Sequence, residues 1–483
     1  MQNFLGSKKI FNKTLFIIFV YLLLHLLIRV IFNESIQVDD REQLIYAQKL
    51  QWGYPMPQPP LYSWISYFFF KIFDPGLFAL TLLKYLLIFA TFFYIYSSSV
   101  LLSRSREWLP EFTTYSFLLM PSFAWHMHQG FTHTILLGLG IAMTIYYFIL
   151  LEENPSIKNY ILLGVSISVG ILGKYSYIIF FLISLFALFS IKEYRKILIS
   201  KYIFLSFAIL IFITSPHLIW LTENWNSVFI QANNRLHINI SNSGISDSLL
   251  KLIASGFGFI SPLIFLIIFI KWNLTKKILR LPKEEFFIRF FYALLFFTFI
   301  FFLFFDIKEV KVRWLHPILM AFPFLILIFI NSYGEITKTF KKISLATLLV
   351  FTMIILCVRI LQNTIGPELG YYGRINIPIH SALKKIPENV ISTISAIKTN
   401  DYNLGVHLFD AFTDKEIIIN NVPFNSKPNN IKKCLYVFDI DGNADDSIRL
   451  KSNSMTKFKK IQVNKGEFTY ELFYRVFEND TCK

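Results

Sequence analysis

Apolar residues in this chain gather into long runs with no polar face, so neither the period of an amphipathic helix nor strand alternation survives within them. The runs lie at about residues 14–32, 77–101, 112–125, 131–151, 160–172, 175–191, 202–221, 249–270, 286–305, 314–330 and 343–360. They predict about eleven membrane spans, since roughly 20 apolar residues in a helix cross a hydrocarbon core. Lipid offers backbone N–H and C=O groups no partners, so each run must close its own hydrogen bonds as a helix. The first run follows Lys8, Lys9 and Lys13 and has no small-residue cleavage site after it. It is read as an uncleaved helix with a cytoplasmic N-terminus.

Polar residues break this pattern at two places. Residues 33–76 form a loop with its own order: a helix-compatible stretch over 40–50, four prolines between Pro55 and Pro60, and an apolar run at 61–73. That run is too short to span comfortably and is predicted to lie in the interface before Asp74, Pro75 and Gly76 turn the chain. After Gln362 the composition shifts to Lys, Asn and Asp, with strand-like runs CLYVFDI (434–440) and FTYELFYRVF (468–477). The predicted fold is therefore an all-α polytopic membrane domain over 1–361 and a small C-terminal α/β extracytoplasmic domain over 362–483, about 120 residues and able to bury its own core.

Composition agrees: 54% of the 483 residues are hydrophobic, 54 are Phe, and the mean hydropathy is +0.52. The net charge of +16 is read as topology rather than as a nucleic-acid surface. Lys and Arg concentrate in short loops at one end of the runs, as in Lys192, Arg195 and Lys196, where the positive-inside rule places them. The loop 33–76, the segments 222–248 and 306–313, and everything after about residue 361 then face outward. Of three cysteines, none in a CxxC pair, Cys434 and Cys482 can pair if the tail lies outside the cytoplasm, and Cys357 lies in an apolar run.

The outer loop carries the chemistry. Asp39 and Glu42 have the spacing of a capping box, which would satisfy free N–H groups at a helix start. That reading leaves Asp40 unexplained, as well as the Pro-rich turn that brings Gln58 back toward the acids. A carboxylate beside lipid and beside another carboxylate is expected to hold its proton more tightly than in water, which suits a general base.

VDDREQ (38–43) followed by QPPLYSW (58–64) resembles the first outer loop of the membrane-embedded GT-C glycosyltransferases, the class containing the lipid A aminoarabinose transferases and the protein O-mannosyltransferases. The likeness is strongest to the branch with the rhizobial lipopolysaccharide galacturonosyltransferases, whose loops share an acidic pair, a Glu-Gln, a WGY-like turn and QPPLY. GKYSY (173–177), SPHLIW (215–220) and KVRWLHP (311–317) extend it over most of residues 14–360, but not into the tail. The resemblance implies an inverting transfer of a sugar from a polyprenyl-phosphate carrier to an envelope lipid, lipid A or lipopolysaccharide core, at the periplasmic face of a bacterial inner membrane. Carried over, Asp39 is the candidate base or acceptor-orienting group. Asp40 tunes the site or helps bind a divalent cation, the one cofactor candidate. Gln58 stands where the aminoarabinose transferases have a Lys, so the donor phosphate must find its cation elsewhere.

Glu42, Gln58 and Tyr62 complete the loop's substrate-binding set. Lys174, in a turn, is a phosphate-binding cation or a snorkelling lysine. Arg313 offers bidentate phosphate binding, or anchors the membrane edge beside Trp314. His133 takes the position of an Asp in the family's pattern, and His217 and His316 are candidates to line the cavity. His126 and His128, two residues apart, are read as metal ligands, substrate hydrogen-bonding groups or interfacial packing. Lys84 is read as packing or snorkelling. Asp439 and Asp441 in FDIDG lack the remaining ligands of a calcium loop. The rival function is a flippase or transporter of an envelope lipid, which calls for symmetric discontinuous helices that the pattern does not show.

Overall fold

The computed structural model describes residues 8–104, 106–236, 245–268, 281–304, 312–332, 338–370, 376–419, 422–423, 433–439, 458–466 and 468–478. The side chain of Arg313, together with Asp441 and Cys482, lies outside the described residues. The chain divides into two compact units, one of residues 1–23, 51–64 and 84–355, the other of 24–50, 65–83 and 356–483.

Helices follow the apolar runs. In chain order they are α1 (Lys8–Phe32), α2 (Val38–Tyr46), α3 (Leu61–Phe69), α4 (Leu77–Leu102), α5 (Trp108–Ser116), α6 (Pro121–Ala124), α7 (His133–Glu153), α8 (Ile157–Gly173), α9 (Tyr177–Phe189), α10 (Lys192–Ile199), α11 (Ile203–Leu236), α12 (Ile245–Ile268), α13 (Pro282–Phe304), α14 (His316–Leu319), α15 (Phe322–Ser332) and α16 (Lys338–Thr364). Among the described residues five helices are long and apolar enough to cross a membrane, or six if the bent pair α9 and α10 is one span. The protein is thus a mostly helical, multi-pass membrane protein. Phe204 and Phe212 of α11 are more than two-thirds exposed, as expected of side chains that face lipid.

Several runs break where continuous helix was expected. The run 112–125 divides into α5, a 3-10 turn (Phe117–Leu119) and α6, with Met120 extended at φ −82°, ψ 122°. Pro121 explains this, because its ring disfavours helical backbone in the preceding residue. Helix α9 turns by 114° into α10. Helix α11 runs on to Leu236, so residues 222–236, expected as loop, are helical. Pro216 sits inside α11 and cannot donate to the carbonyl of Phe212. The Ser215 hydroxyl donates to that carbonyl instead, at 3.0 Å, and the helix continues.

The second unit contains the terminal sheet. Its helices are α17 (Ile379–Leu383), α18 (Glu388–Ile391) and α19 (Tyr402–Ala411), and its strands β1 (Ala396–Thr399), β2 (Glu416–Ile419), β3 (Val422–Pro423), β4 (Lys433–Asp439), β5 (Lys459–Lys465) and β6 (Phe468–Glu478). The strand order is β3-β2-β1-β4-β6-β5, with β1 parallel to β2 and β4 and the other pairs antiparallel. Helix α19 links the parallel strands β1 and β2. Asp401 caps it by accepting from the N–H of Leu404 at 2.7 Å. Ile397, Leu404, Leu408, Ile417, Leu435 and Leu472 are buried in one core. Asp439 ends β4 and accepts from the Tyr470 hydroxyl at 2.7 Å, a structural task for the first acid of FDIDG. Cys434 on β4 is disulfide-bonded and Cys357 is free.

Candidate active site

Residues 51–60 carry prolines at 55, 57, 59 and 60, so this stretch cannot satisfy its polar groups as helix or sheet. Distant side chains satisfy them instead. His217 of α11 points its Nδ1 at the carbonyl of Trp52, 3.1 Å away, and its Nε2 lies 2.8 Å from the Tyr175 hydroxyl. A carbonyl can only accept, so the proton sits on Nδ1 and the Tyr175 hydroxyl donates to Nε2. The imidazole stacks between Tyr175 and Trp220, at 6.1 and 5.7 Å with interplanar angles of 19° and 18°. Trp64 Nε1 donates to the carbonyl of Gln51 at 2.6 Å. The WGY turn, the GKYSY turn and SPHLIW thus meet in one aromatic stack.

Beside that stack lies a second group. Tyr62 is fully buried on α3, with its ring 5.9 Å from that of His133. His133 opens α7 and donates from Nδ1 to the carbonyl of Gly173 at 3.2 Å. Lys174 caps the C-terminus of α8, where the helix dipole favours a cation. Its Nζ donates to Thr134 Oγ1 at 2.8 Å. Gln58 is half-buried in the Pro-rich turn.

The other histidines separate. His316 is wholly buried, bonded through Nε2 to Ser122 Oγ and ringed by Phe123, Phe131 and Phe259. It lies within electrostatic reach of Lys174 and His126. His126 stacks on Phe131 at 5.9 Å, and burial pushes its imidazole below the usual range. His128 is bracketed by the hydroxyls of Tyr21 and Tyr85, each at 3.2 Å. His126 and His128, for which metal binding was one of three readings, therefore diverge, because the 3-10 turn over His126–His128 sends the two rings to different partners. Among the described residues no group of three or more His, Cys, Asp or Glu is arranged to hold a metal ion. Lys84 is buried and donates to the carbonyl of Gln129 at 2.7 Å.

The acids belong to the second unit. Helix α2 begins two residues earlier than a capping box requires: its N-cap is Gln37, which makes no side-chain capping bond, and Asp39 lies inside the first turn. The capping role expected for Asp39 and Glu42 does not hold. Asp40 is 2% exposed, whereas Asp39 and Glu42 are half-buried.

These positions coincide with known sequence patterns. The model of the dolichyl-phosphate-mannose-protein mannosyltransferase family matches residues 57–220, the stretch that holds Gln58, Tyr62, His133, Lys174 and His217. Two curated relatives from Rhizobium johnstonii, the lipopolysaccharide core galacturonosyltransferases RgtB and RgtA, are 31% and 26% identical over 204 residues. The chain resembles the GT-C glycosyltransferases of the rhizobial lipopolysaccharide branch. Each of those two matches covers 42% of this chain, and they span 41% and 40% of the relatives' lengths. The GT-C likeness in fold extends further. Crystal structures of ArnT from Cupriavidus metallidurans, one bound to undecaprenyl phosphate and one apo, superpose with a TM-score of 0.57 at 12% identity, covering 96% and 95% of this chain and 98% and 97% of theirs. Tyr175, Trp220, Thr134 and Ser122 were not expected among the site residues. The first two lie inside GKYSY and SPHLIW, and only the stacking reveals their part.

Proposed function

We propose that the protein is an inverting glycosyltransferase that moves a sugar from a polyprenyl-phosphate carrier to an envelope lipid, lipid A or lipopolysaccharide core, at the periplasmic face of a bacterial inner membrane. The observation that carries this reading is the group around Lys174: a cation fixed by Thr134 at a helix C-terminus, next to an oriented His133, within the stretch matched by the mannosyltransferase family. A single cation held at a set position suits a departing phosphate, whose negative charge grows as the bond to the sugar breaks. The names of the Rhizobium relatives make a galacturonosyl group the first sugar to test. The ArnT complex makes undecaprenyl phosphate the first carrier.

In the proposed reaction an acceptor hydroxyl oxygen bonds to the anomeric carbon from the face opposite the carrier. The bond from that carbon to the phosphate oxygen breaks, and polyprenyl phosphate leaves with the electron pair. The hydroxyl proton passes to Asp39 or Asp40 as general base. Lys174, with Arg313 as the alternative, neutralises the leaving phosphate. The disulfide at Cys434 supports an oxidising compartment for the terminal domain. The membrane domain over 1–361 and the periplasmic domain over 362–483 remain the proposed division of labour.

The test is mass spectrometry of the acceptor after incubating purified protein with undecaprenyl phosphate-linked galacturonic acid and lipopolysaccharide core. Gain of a hexuronic acid residue is expected. Movement of lipid across a vesicle bilayer without any change in acceptor mass would favour the flippase reading.

A further inference from the structure

Five residues separate α1 from α2, and none of them is in regular secondary structure. A free linker there would leave the first turn of α2 loosely placed. Instead, side chains more than three hundred positions away hold three of the five. Asn33 Nδ2 donates to Asn363 Oδ1 at 2.7 Å and to Asn376 Oδ1 at 3.2 Å. The Glu34 carboxylate accepts from both the N–H and the hydroxyl of Ser381, at 2.9 and 2.6 Å. Arg29 donates to the carbonyl of Ser35 at 2.8 Å. The N–H of Ile36 donates to His407 Nε2 at 3.4 Å, and the Ile36 side chain is buried with Leu44, Leu80 and Val406.

Helix α19, which carries His407 and Val406, packs on α2 itself. His407 is completely buried, and its Nε2 can accept from Ile36 only as neutral imidazole. Ser381 on α17 supplies the two donors to Glu34, and the neighbouring His380 pairs with Asp410 of α19 at 3.0 Å. Helices α17 and α19 are thereby tied to each other as well as to the linker. What they hold is the backbone immediately before Asp39 and Asp40.

We propose that the terminal domain is the positioning element of helix α2: Ser381 and His407 are positioning residues that set where the carboxylates of Asp39 and Asp40 stand. This rests on the reading of those acids as the base. Groups that act by alignment are sensitive to displacements of about 1 Å, for which losses near 100-fold are known.

The experiment uses the full-length protein in lipid nanodiscs with undecaprenyl phosphate-linked galacturonic acid as donor, following kcat, donor KM and thermal unfolding. Ser381→Ala and His407→Leu are expected to lower kcat by about 10- to 100-fold while donor KM stays within about twofold. Ser381→Thr, which keeps a hydroxyl, and His407→Gln, which keeps an acceptor for the Ile36 N–H, are expected to restore most of the rate. If His407→Leu unfolds, the pair Ser381→Ala and Ser381→Thr decides alone. Unchanged kcat in the folded Ala and Leu variants, or a rise in KM alone, would overturn the proposal. Asp39→Asn and Asp40→Asn are measured in parallel. If either is inactive while Ser381→Ala and His407→Leu are not, only the positioning role falls; if both retain full activity, the base reading falls and the proposal with it.

Discussion

The indole of Trp220 occupies the space that a side chain on Gly53 would need: a Cβ built there would lie 2.1 Å from Cε3 of the ring. This contact locks the turn at residues 52–54 against helix α11 and explains why its WGY includes a glycine. Gly53→Ala is therefore expected to displace Trp220 and with it the ring stack on His217. Overpacking of this kind costs about 1–3 kcal/mol. A lowered melting temperature with reduced transfer activity is the expected result, and Gly53→Ala with wild-type values of both would show that the turn adapts.

Tyr175→Phe and His217→Leu remove the same hydrogen bond by different amounts. The first leaves His217 Nε2 without its donor; the second also leaves the carbonyl of Trp52 without Nδ1–H. Unmade buried hydrogen bonds cost about 1–3 kcal/mol each, so His217→Leu is expected to be the more destabilised. Chemical denaturation of both variants checks the order.

Lys174→Met is expected to raise the KM for the lipid-linked donor by at least about 10-fold, the scale of one lost hydrogen bond to a charged group. Thr134→Val, which only frees the ammonium from its tether, should have a smaller effect. Donor titrations on both variants separate phosphate binding from membrane snorkelling, since a snorkelling lysine would leave KM unchanged.

His407 gives a pH signature. Burial, then the charges of His380, Arg41 and Arg29, hold its pKa well below the ordinary 6.5. The unfolded chain takes up a proton as pH falls through about 6.5 while the folded chain does not, so this contribution to stability is present above that pH and lost below it. The slope is about 1.4 kcal/mol per pH unit for one proton. Unfolding curves between pH 8 and 5 are expected to fall more steeply for the wild type than for His407→Gln, and parallel curves would remove His407 as the cause.

Cys434 is disulfide-bonded and Cys357 free. Non-reducing peptide mapping is expected to recover Cys434 linked to Cys482, with Cys357 open to alkylation in detergent. A singly alkylated Cys434 peptide from membranes would count against an oxidising compartment for the tail.

The membrane character, the helical state of the apolar runs and the sheet of the tail were legible in the order of residue types, because lipid leaves the backbone no alternative to helix and a small domain must bury its apolar strands. The short motifs around Asp39, Lys174 and His217 were legible as a family likeness for the same local reason: each is a few contiguous residues. The N-cap at Gln37, the parting of His126 from His128, the continuation of α11 past Thr222 and the breaks beside Pro121 and at the bend after α9 depended on packing. So did the stacking of Trp220 on Gly53 and the grip of Ser381 and His407 on the linker before α2. These pairs are separated by more than 160 positions, and a contact at that range leaves no period or spacing in the chain. Only folding, which brings a donor to within hydrogen-bonding distance of a particular backbone group, selects it from the many residues of the same type.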